Sequence, residues 1–281
     1  MPLISHSYGK GRVRVMRVHR EGDRNEVREL TVETMLEGGF DAAYIAGDNR
    51  AVVATDTMKN IAYIVARENL AACAEDYAAG LATRFLERYP QVMRATVRTW
   101  ETKWDRAIVA GAPHPHSFVL DGNGRPTAVA SSRRGGGLVI ASGLAGYTFL
   151  KSTASGWAGY VMDEYTTLPE TQDRIAATAM DATWTWLSPT IDYPASNARI
   201  LATMLEVFAT TYSRGIQDSL YRMAEAALAA VPELDTISLS CPNKHYIPVQ
   251  LDQFGLSADN TVFIATDEPH GQIECTVGRS A

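Results

Sequence analysis

The pattern that most restricts the fold of this chain is a succession of strands and helices that occurs twice. Polar and apolar residues alternate, as in half-buried strands, over 12–18, 30–33 and 92–104, and further strands are predicted over 117–120, 137–153 and 178–187 and after residue 230. Apolar residues recur at helical spacing over 58–67, 77–89, 197–211 and 216–230. The sequence therefore predicts an α+β fold made of two ββααββ halves.

The junctions between these elements support a duplication. Tyr89-Pro90-Gln91-Val92 and Val231-Pro232-Glu233-Leu234 each place a proline between a helix and a strand. The hydroxyls and carboxylate of residues 55–57 are typical of a helix N-cap. Residues 131–137, which include two arginines and three consecutive glycines, are predicted to be a flexible linker. We therefore predict domains at 1–136 and 137–281.

Composition limits the class of partner. Hydrophobic residues make up 46% of the 281 residues and charged residues 21%, which excludes disorder for most of the chain. With 26 Lys and Arg against 32 Asp and Glu, the net charge is −6, so no global basic field favours nucleic acid. An anionic ligand would need a local basic pocket.

The sequence also favours a cytoplasmic location. Cys73, Cys241 and Cys275 fit neither a disulfide framework nor a CxxC metal site, as expected in a reducing compartment. The N-terminus does not resemble a signal peptide, and no apolar run approaches about 18 residues, so no membrane contact is predicted. The C-terminal residues 278–281 are not a peroxisomal Ser-Lys-Leu signal.

Common cofactor motifs are missing from the sequence. It contains no GxxxxGK[ST], GxGxxG between strand and helix, HExxH or GxSxG. His114-Pro115-His116 offers two imidazoles, which are an incomplete zinc ligand set, so a structural role is favoured. Neither a metal site nor an organic cofactor is predicted.

Three polar residues are candidates for chemistry, each with a structural alternative. His245 interrupts an apolar strand region and could move protons near neutral pH, or it could be a buried structural histidine. Arg174 could bind an anion or a pair of carbonyls, or it could pair with Glu170 on a helix surface. Lys10 could act as a base in a buried setting, or it could be a solvated loop lysine.

Taken together, these residues lie in segments that resemble the urate oxidase (uricase) family. The matching segments are Tyr8 to Lys10, Val53 to Asn60, His114 to Phe118, Leu150 to Thr153, Asp163 to Leu168, Glu170 to Arg174, Asp181 to Trp184, Pro242 to Tyr246 and Cys275 to Ser280. They run in order along essentially the whole chain, and this collinearity is a specific signal. Without a peroxisomal signal, the chain is most similar to a bacterial, cytoplasmic form.

The resemblance implies two tandem tunnelling-fold domains, each an antiparallel four-stranded sheet with two helices on one face. It implies homotetramers in which sheets from several subunits close into a barrel-like tunnel, with active sites between subunits. The implied reaction converts urate, O2 and water to 5-hydroxyisourate and hydrogen peroxide, without metal or organic cofactor.

The resemblance also assigns roles to individual residues. Lys10, Thr55 and His245 would form a proton relay, with Thr55 and Asp56 supplied by the neighbouring subunit. The residues that would contact urate, O2 or water are Thr55, Asp56, Trp157, Leu168, Arg174, Ile216, Gln217 and Asn243.

Each substrate contact has its own expected function. Arg174 and Gln217 would grip the carbonyl and ring-nitrogen edge of the purine, and Asn243 would hold O2 or the attacking water. Trp157 takes the place of the family's usual stacking phenylalanine. The backbone near Ile216 would add a contact, and Leu168 an apolar wall.

Two alternative functions stay open from the sequence. The chain could be another tunnelling-fold enzyme that acts on a pterin or related heterocycle, with zinc held by His114, His116 and Cys241. It could also be a purine-binding oligomer without catalytic activity.

Overall fold

A computed structural model describes residues 1–70, 73–257 and 260–279 of the chain. Its strands are β1 (Tyr8–Glu21), β2 (Arg24–Gly38), β3 (Val92–Val109), β4 (Ala112–Asp121), β5 (Arg125–Arg133), β6 (Leu138–Lys151), β7 (Ala176–Trp186), β8 (Leu234–Pro248) and β9 (Phe263–Gly278). Its α-helices are α1 (Asp41–Ile45), α2 (Thr55–Asn69), α3 (Ala74–Arg88), α4 (Tyr193–Thr210) and α5 (Ile216–Ala230). Ser280 and Ala281, which end the predicted second domain, lie outside the described residues.

The chain divides into two compact units. Unit 1 contains residues 1–144 and 185–194, and unit 2 contains residues 145–184 and 195 onward. These units divide inside β6 and β7, so they differ in extent from the predicted domains, and the domain boundary after residue 136 stays a prediction. No helix in the described part of the chain is long and apolar enough to cross a membrane.

In unit 1 the strands follow the order β1-β2-β3-β5, and β4 pairs with the distal half of β3. The β1–β2, β2–β3, β3–β4 and β3–β5 pairings are antiparallel. Leu30, Val32 and Leu36 of β2 are fully buried, because alternate residues of a strand share one face. Helix α2 packs on β1, and α3 packs on β3 and β5. The intervening β2 residues Glu33 and Glu37 instead form ion pairs across to β3.

In unit 2 the strand order is β6-β7-β8-β9, with β8 and β9 antiparallel and α5 packed on both. Met180, Trp184, Ile237 and Leu239 are buried. In α5 the predicted apolar stripe is buried at Leu220 and at other positions of the same face. The predicted α+β class with two ββααββ halves is therefore confirmed.

One arginine ends each half in the same way, and we call these two residues the arginine clamps. Arg134 follows β5 and Arg279 follows β9. Arg134 donates hydrogen bonds to the carbonyl oxygens of Leu86, Tyr89 and Val92. Arg279 donates to the carbonyl oxygens of Leu228, Val231 and Leu234, at 2.6, 3.0 and 2.7 Å. The clamps thus satisfy carbonyls at the ends of α3 and α5 that no helical N–H can reach.

The linker predicted over 131–137 is wrong in part. Residues 131–133 belong to β5, where Ser131 pairs with Thr96 of β3. Arg134 is held by the clamp bonds, so only the turn that follows it connects β5 to β6. The alternation that marks other strands is weak in β5, because its buried residues are small alanines.

The predicted N-cap of the second helix also needs correction. Helix α2 begins at Thr55, and Ala54 occupies the cap position without a side-chain hydrogen bond. The Thr55 side chain therefore stands exposed at the first turn of the helix. The short α1 was missed by the periodicity, since it contains only one helical turn.

Candidate active site

Unit 2 contains a cavity of about 670 Å³. Its walls come from residues 152–175, from the end of β8 and from residues 260–269. The predicted site residues that line it are Trp157, Leu168, Arg174, Asn243 and His245. These residues are far apart in the sequence, and the fold of unit 2 brings them together.

The connection between β6 and β7 places Trp157 beside Arg174. Its two arms are joined where Trp157 and Thr171 exchange backbone hydrogen bonds of 2.8 and 2.9 Å. The Arg174 N–H donates to the carbonyl of Ser155 at 2.8 Å. As a result the guanidinium carbon of Arg174 lies 5.8 Å from the centre of the Trp157 ring. This is the range of a cation–π contact.

Arg174 has unused hydrogen-bonding capacity. Its Nε atom is buried and has no hydrogen-bond partner among the described residues. Burial lowers the pKa of the Arg174 guanidinium, and the nearby Tyr212 phenol partly opposes this. A guanidinium stays charged in proteins, so a buried N–H without a partner is costly unless an acceptor arrives. The cavity is therefore suited to a ligand with carbonyl or anionic oxygens.

The alternative surface ion pair between Glu170 and Arg174 is wrong. Residues 170–174 do not form a helix. The Glu170 carboxylate instead accepts the backbone N–H of Gly159 at 2.7 Å, within the same connection.

Strand β8 supplies Asn243 and His245. Asn243 pairs with Gly271 and His245 pairs with Thr266, with a register shift between them. Such bulges redirect side chains next to functional sites. Asn243 is only 8% exposed, so its amide has little access to water outside the cavity. Lys244, between the two, forms an ion pair with Asp267.

Gly215 brings the start of α5 close to the aromatic ring. A methyl group at Gly215 would lie 2.8 Å from Cζ3 of Trp157 and 3.3 Å from Oε1 of Gln217. Gln217 therefore lies near Trp157, although it is not among the described residues that line the cavity. The Ile216 side chain is buried at the start of α5, and Ile216 is not among the described residues that line the cavity.

Lys10, Thr55 and Asp56 belong to unit 1. The Tyr8 hydroxyl accepts the N–H of Val53 at 2.8 Å, which ties the segment before Thr55 to the strand that carries Lys10. Asp56 is exposed, and a hydrogen bond from Lys59 holds the pKa of its carboxyl below the usual range. The predicted site residues thus form two groups, one in each unit.

Several cavity residues were not predicted individually, among them Ser152, Glu170, Tyr246, Phe263, Glu268 and Pro269. Glu170 and Tyr246 lie in the segments that contain the predicted site residues Arg174, Asn243 and His245. Phe263, Glu268 and Pro269 lack a motif, and the β8–β9 pairing alone brings that part of the chain to the cavity.

The zinc alternative is not favoured. Within residues 1–70, 73–257 and 260–279, no group of three or more His, Cys, Asp or Glu side chains could hold a metal ion. The His114 and His116 rings lie 4.5 Å apart on β4. Cys241 is fully buried, and this burial raises the pKa of its thiol to about 12.

Fold and site define the class of protein: an α+β chain of two similar halves, with a ligand cavity built around an arginine and a tryptophan in the second. The uricase family model matches residues 6–131 and 140–274. The chain therefore belongs to the uricase family.

Individual relatives agree with this membership. A uricase of Aspergillus flavus is 38% identical, with 98% of this chain and 96% of that protein covered. A uricase of Arthrobacter globiformis is 39% identical, covering 99% and 90%. The crystal structure of uricase from Arthrobacter globiformis has a TM-score of 0.94 and covers 99% of this chain and 95% of that chain.

Proposed function

We propose that this protein oxidises urate with O2 and water to 5-hydroxyisourate and hydrogen peroxide, and that it needs neither metal nor organic cofactor. The observation that carries the proposal is the buried Arg174 Nε, which has no partner among the described residues and lies beside Trp157 in the cavity. Urate is a flat anion with carbonyl oxygens along its edges. It therefore offers a face to the indole ring and acceptors to the guanidinium.

Substrate binding divides between edge and face contacts. The planar fork of Arg174 donates to the carbonyl and ring-nitrogen edge, and Gln217 adds one donor and one acceptor. Trp157 stacks on the ring, Leu168 covers an apolar flank, and the backbone at Ile216 supplies a further contact.

Catalysis begins with proton removal. Lys10, acting through the Thr55 hydroxyl, draws a proton from urate, while His245 positions Lys10 and a water molecule. The resulting dianion is electron-rich enough to reduce O2 without a redox metal. O2 gains two electrons and two protons to become hydrogen peroxide, and water supplies the hydroxyl group of the product. Asn243 holds O2 or that water above the ring.

The site is completed by assembly, in a homotetramer with active sites at subunit interfaces. Thr55 and Asp56 would come from a neighbouring subunit to meet the cavity of unit 2. The proposal is supported by the first and last strands of the sheet order, β1 and β9, whose outer edges are open to pairing with another chain. The described cysteines are free thiols, which supports a cytoplasmic location.

The decisive test is an assay of urate absorbance and peroxide with purified protein in air, with and without a chelator. We expect urate to disappear and peroxide to form equally in both. If urate persisted, the proposal would be wrong. Urate binding without turnover would instead favour a purine-binding oligomer, and activity lost to chelator and regained with zinc would favour a metal-dependent enzyme.

A further inference from the structure

A second aromatic ring stacks on Trp157. The ring centres of Trp157 and Tyr160 are 5.5 Å apart, and the ring planes differ by only 13°. Trp157 lines the cavity, whereas Tyr160 is not among the described residues that do so. Tyr160 therefore stacks on a cavity-lining ring without lining the cavity itself.

Tyr160 also connects two parts of the cavity wall. Its hydroxyl donates a hydrogen bond to the carbonyl oxygen of Leu168, which lines the cavity. Its neighbour Gly159 donates to the Glu170 carboxylate at 2.7 Å. Two hydrogen bonds thus fasten the segment that carries Trp157 to the segment that leads to Arg174.

This arrangement bears on how firmly the indole is held. Trp157 is partly exposed and lies in a connection without regular secondary structure. A stacking side chain contributes to affinity only if its orientation is fixed before the ligand arrives, since ordering it later opposes binding. The parallel phenol ring and the bond to Leu168 supply that restraint.

We propose that Tyr160 is a positioning residue for substrate binding. It fixes the Trp157 ring for stacking, and its hydrogen bond to the Leu168 carbonyl holds Leu168 in the cavity wall. The inference rests on the proposed function and deepens it, because it names a residue that controls affinity for a flat heterocycle without touching it.

Two variants separate the two contacts of Tyr160. Tyr160→Phe keeps the ring and removes the hydrogen bond, whereas Tyr160→Leu removes both. We expect the KM for urate to rise about 2- to 4-fold in the first and about 5- to 10-fold in the second, with kcat changed less than about 2-fold. Tyr165→Phe is the matched control, since Tyr165 lies in the same connection but is 83% exposed, and its KM should not change.

A double-mutant cycle tests whether Tyr160 acts through Trp157. In a Trp157→Ala background, Tyr160→Leu should no longer raise KM beyond the effect of the lost Leu168 contact. An equal rise in both backgrounds, or an unchanged KM in the single variants, would overturn the inference. If Tyr160→Leu did not fold, Tyr160→Phe would still decide the hydrogen-bond contribution.

The same experiment distinguishes the two proposals. Urate turnover by the unmodified protein tests the proposed function by itself. Normal turnover by the unmodified protein together with an unchanged KM in Tyr160→Leu would reject only the role of Tyr160, whereas turnover absent from the unmodified protein would reject the urate oxidase proposal.

Discussion

Unit 1 and unit 2 share the order ββααββ, to which unit 1 adds α1 and β4, but they differ in the connection between their first two strands. Only Gly22 and Asp23 separate β1 from β2, whereas residues 152–175 separate β6 from β7. In both units an arginine clamp follows the second long helix and binds three carbonyl oxygens spaced three residues apart, those of Leu86, Tyr89 and Val92 in unit 1 and of Leu228, Val231 and Leu234 in unit 2. The clamps show which part of the plan is common, and the long connection shows which part is specialised.

The difference teaches where a duplicated fold can acquire a site. The clamps, helices and sheets satisfy backbone groups and bury apolar surface, so they tolerate little change. A connection at the end of a strand pair is free to lengthen, since added chain there costs little loop-closure free energy. In unit 2 that connection carries Trp157, Leu168 and Arg174. Unit 1 offers instead the exposed start of α2 at Thr55.

The largest expected effect tests whether unit 1 has a part in catalysis. Lys10→Met or Thr55→Ala should lower kcat at least about 100-fold, because each removes a group that we propose to transfer protons while the cavity of unit 2 stays intact. Steady-state urate kinetics measure this, with size-exclusion chromatography to check assembly. Lys103→Met, at the β3–β4 hairpin of the same unit, is the control. Near-normal kcat in Lys10→Met would mean that unit 1 contributes no base.

The next effect tests the cavity of unit 2. Arg174→Ala should raise the KM for urate about 10- to 100-fold, because hydrogen bonds to a charged group are worth roughly 1.5 to 3 kcal/mol. Arg222→Ala, which removes only a partly exposed ion pair with Asp218 on α5, should leave KM unchanged. The substrate-binding role of Arg174 would be refuted by equal KM values in the two variants.

The arginine clamps allow a test of the shared plan. Arg134→Met and Arg279→Met should each lower the free energy of unfolding by about 2 kcal/mol, because each removes three hydrogen bonds to carbonyl oxygens at and just after a helix end. Urea unfolding measures this, and KM should change little in either variant. If only one variant were destabilised, the two clamps would be alike in geometry but not in energy.

The sequence was sufficient where periodicity and turn residues act locally. Such signals predict the β1–β2 hairpin and the helices α2, α3, α4 and α5. They also predict the ends of α3 and α5, each of which is followed by a proline. Strand β5 was not predicted, since the small Ala128 and Ala130 give little difference in hydrophobicity from their polar neighbours. Its pairing partner β3 lies elsewhere in the chain.

The candidate site residues were predicted only through family resemblance. Taken alone, Lys10, Arg174 and His245 each had a structural alternative, because no short-range pattern records that distant segments meet in one cavity. Tyr160 carried no signal, since stacking on Trp157 depends on a connection without periodicity.

The smallest expected effect concerns Lys151, the last residue of β6, which directly precedes the long connection of unit 2. The Lys151 ammonium donates to the carbonyl oxygens of Phe208 and Thr211, at 3.2 and 2.8 Å, just where α4 ends. Beyond it, the Tyr212 hydroxyl donates to the carbonyl of Gln172 at 2.8 Å, two residues before Arg174.

Lys151→Met should therefore lower the free energy of unfolding by about 1 kcal/mol and raise the KM for urate about 2- to 3-fold. Lys151→Arg, which keeps a donor, should restore most of the stability. The long connection contacts the end of α4 through Tyr212 as well as through Lys151. A rise in KM without any loss of stability would therefore mean that Lys151→Met alters only the connection. A loss of stability with unchanged KM would instead show that the connection holds Arg174 in place independently of the end of α4.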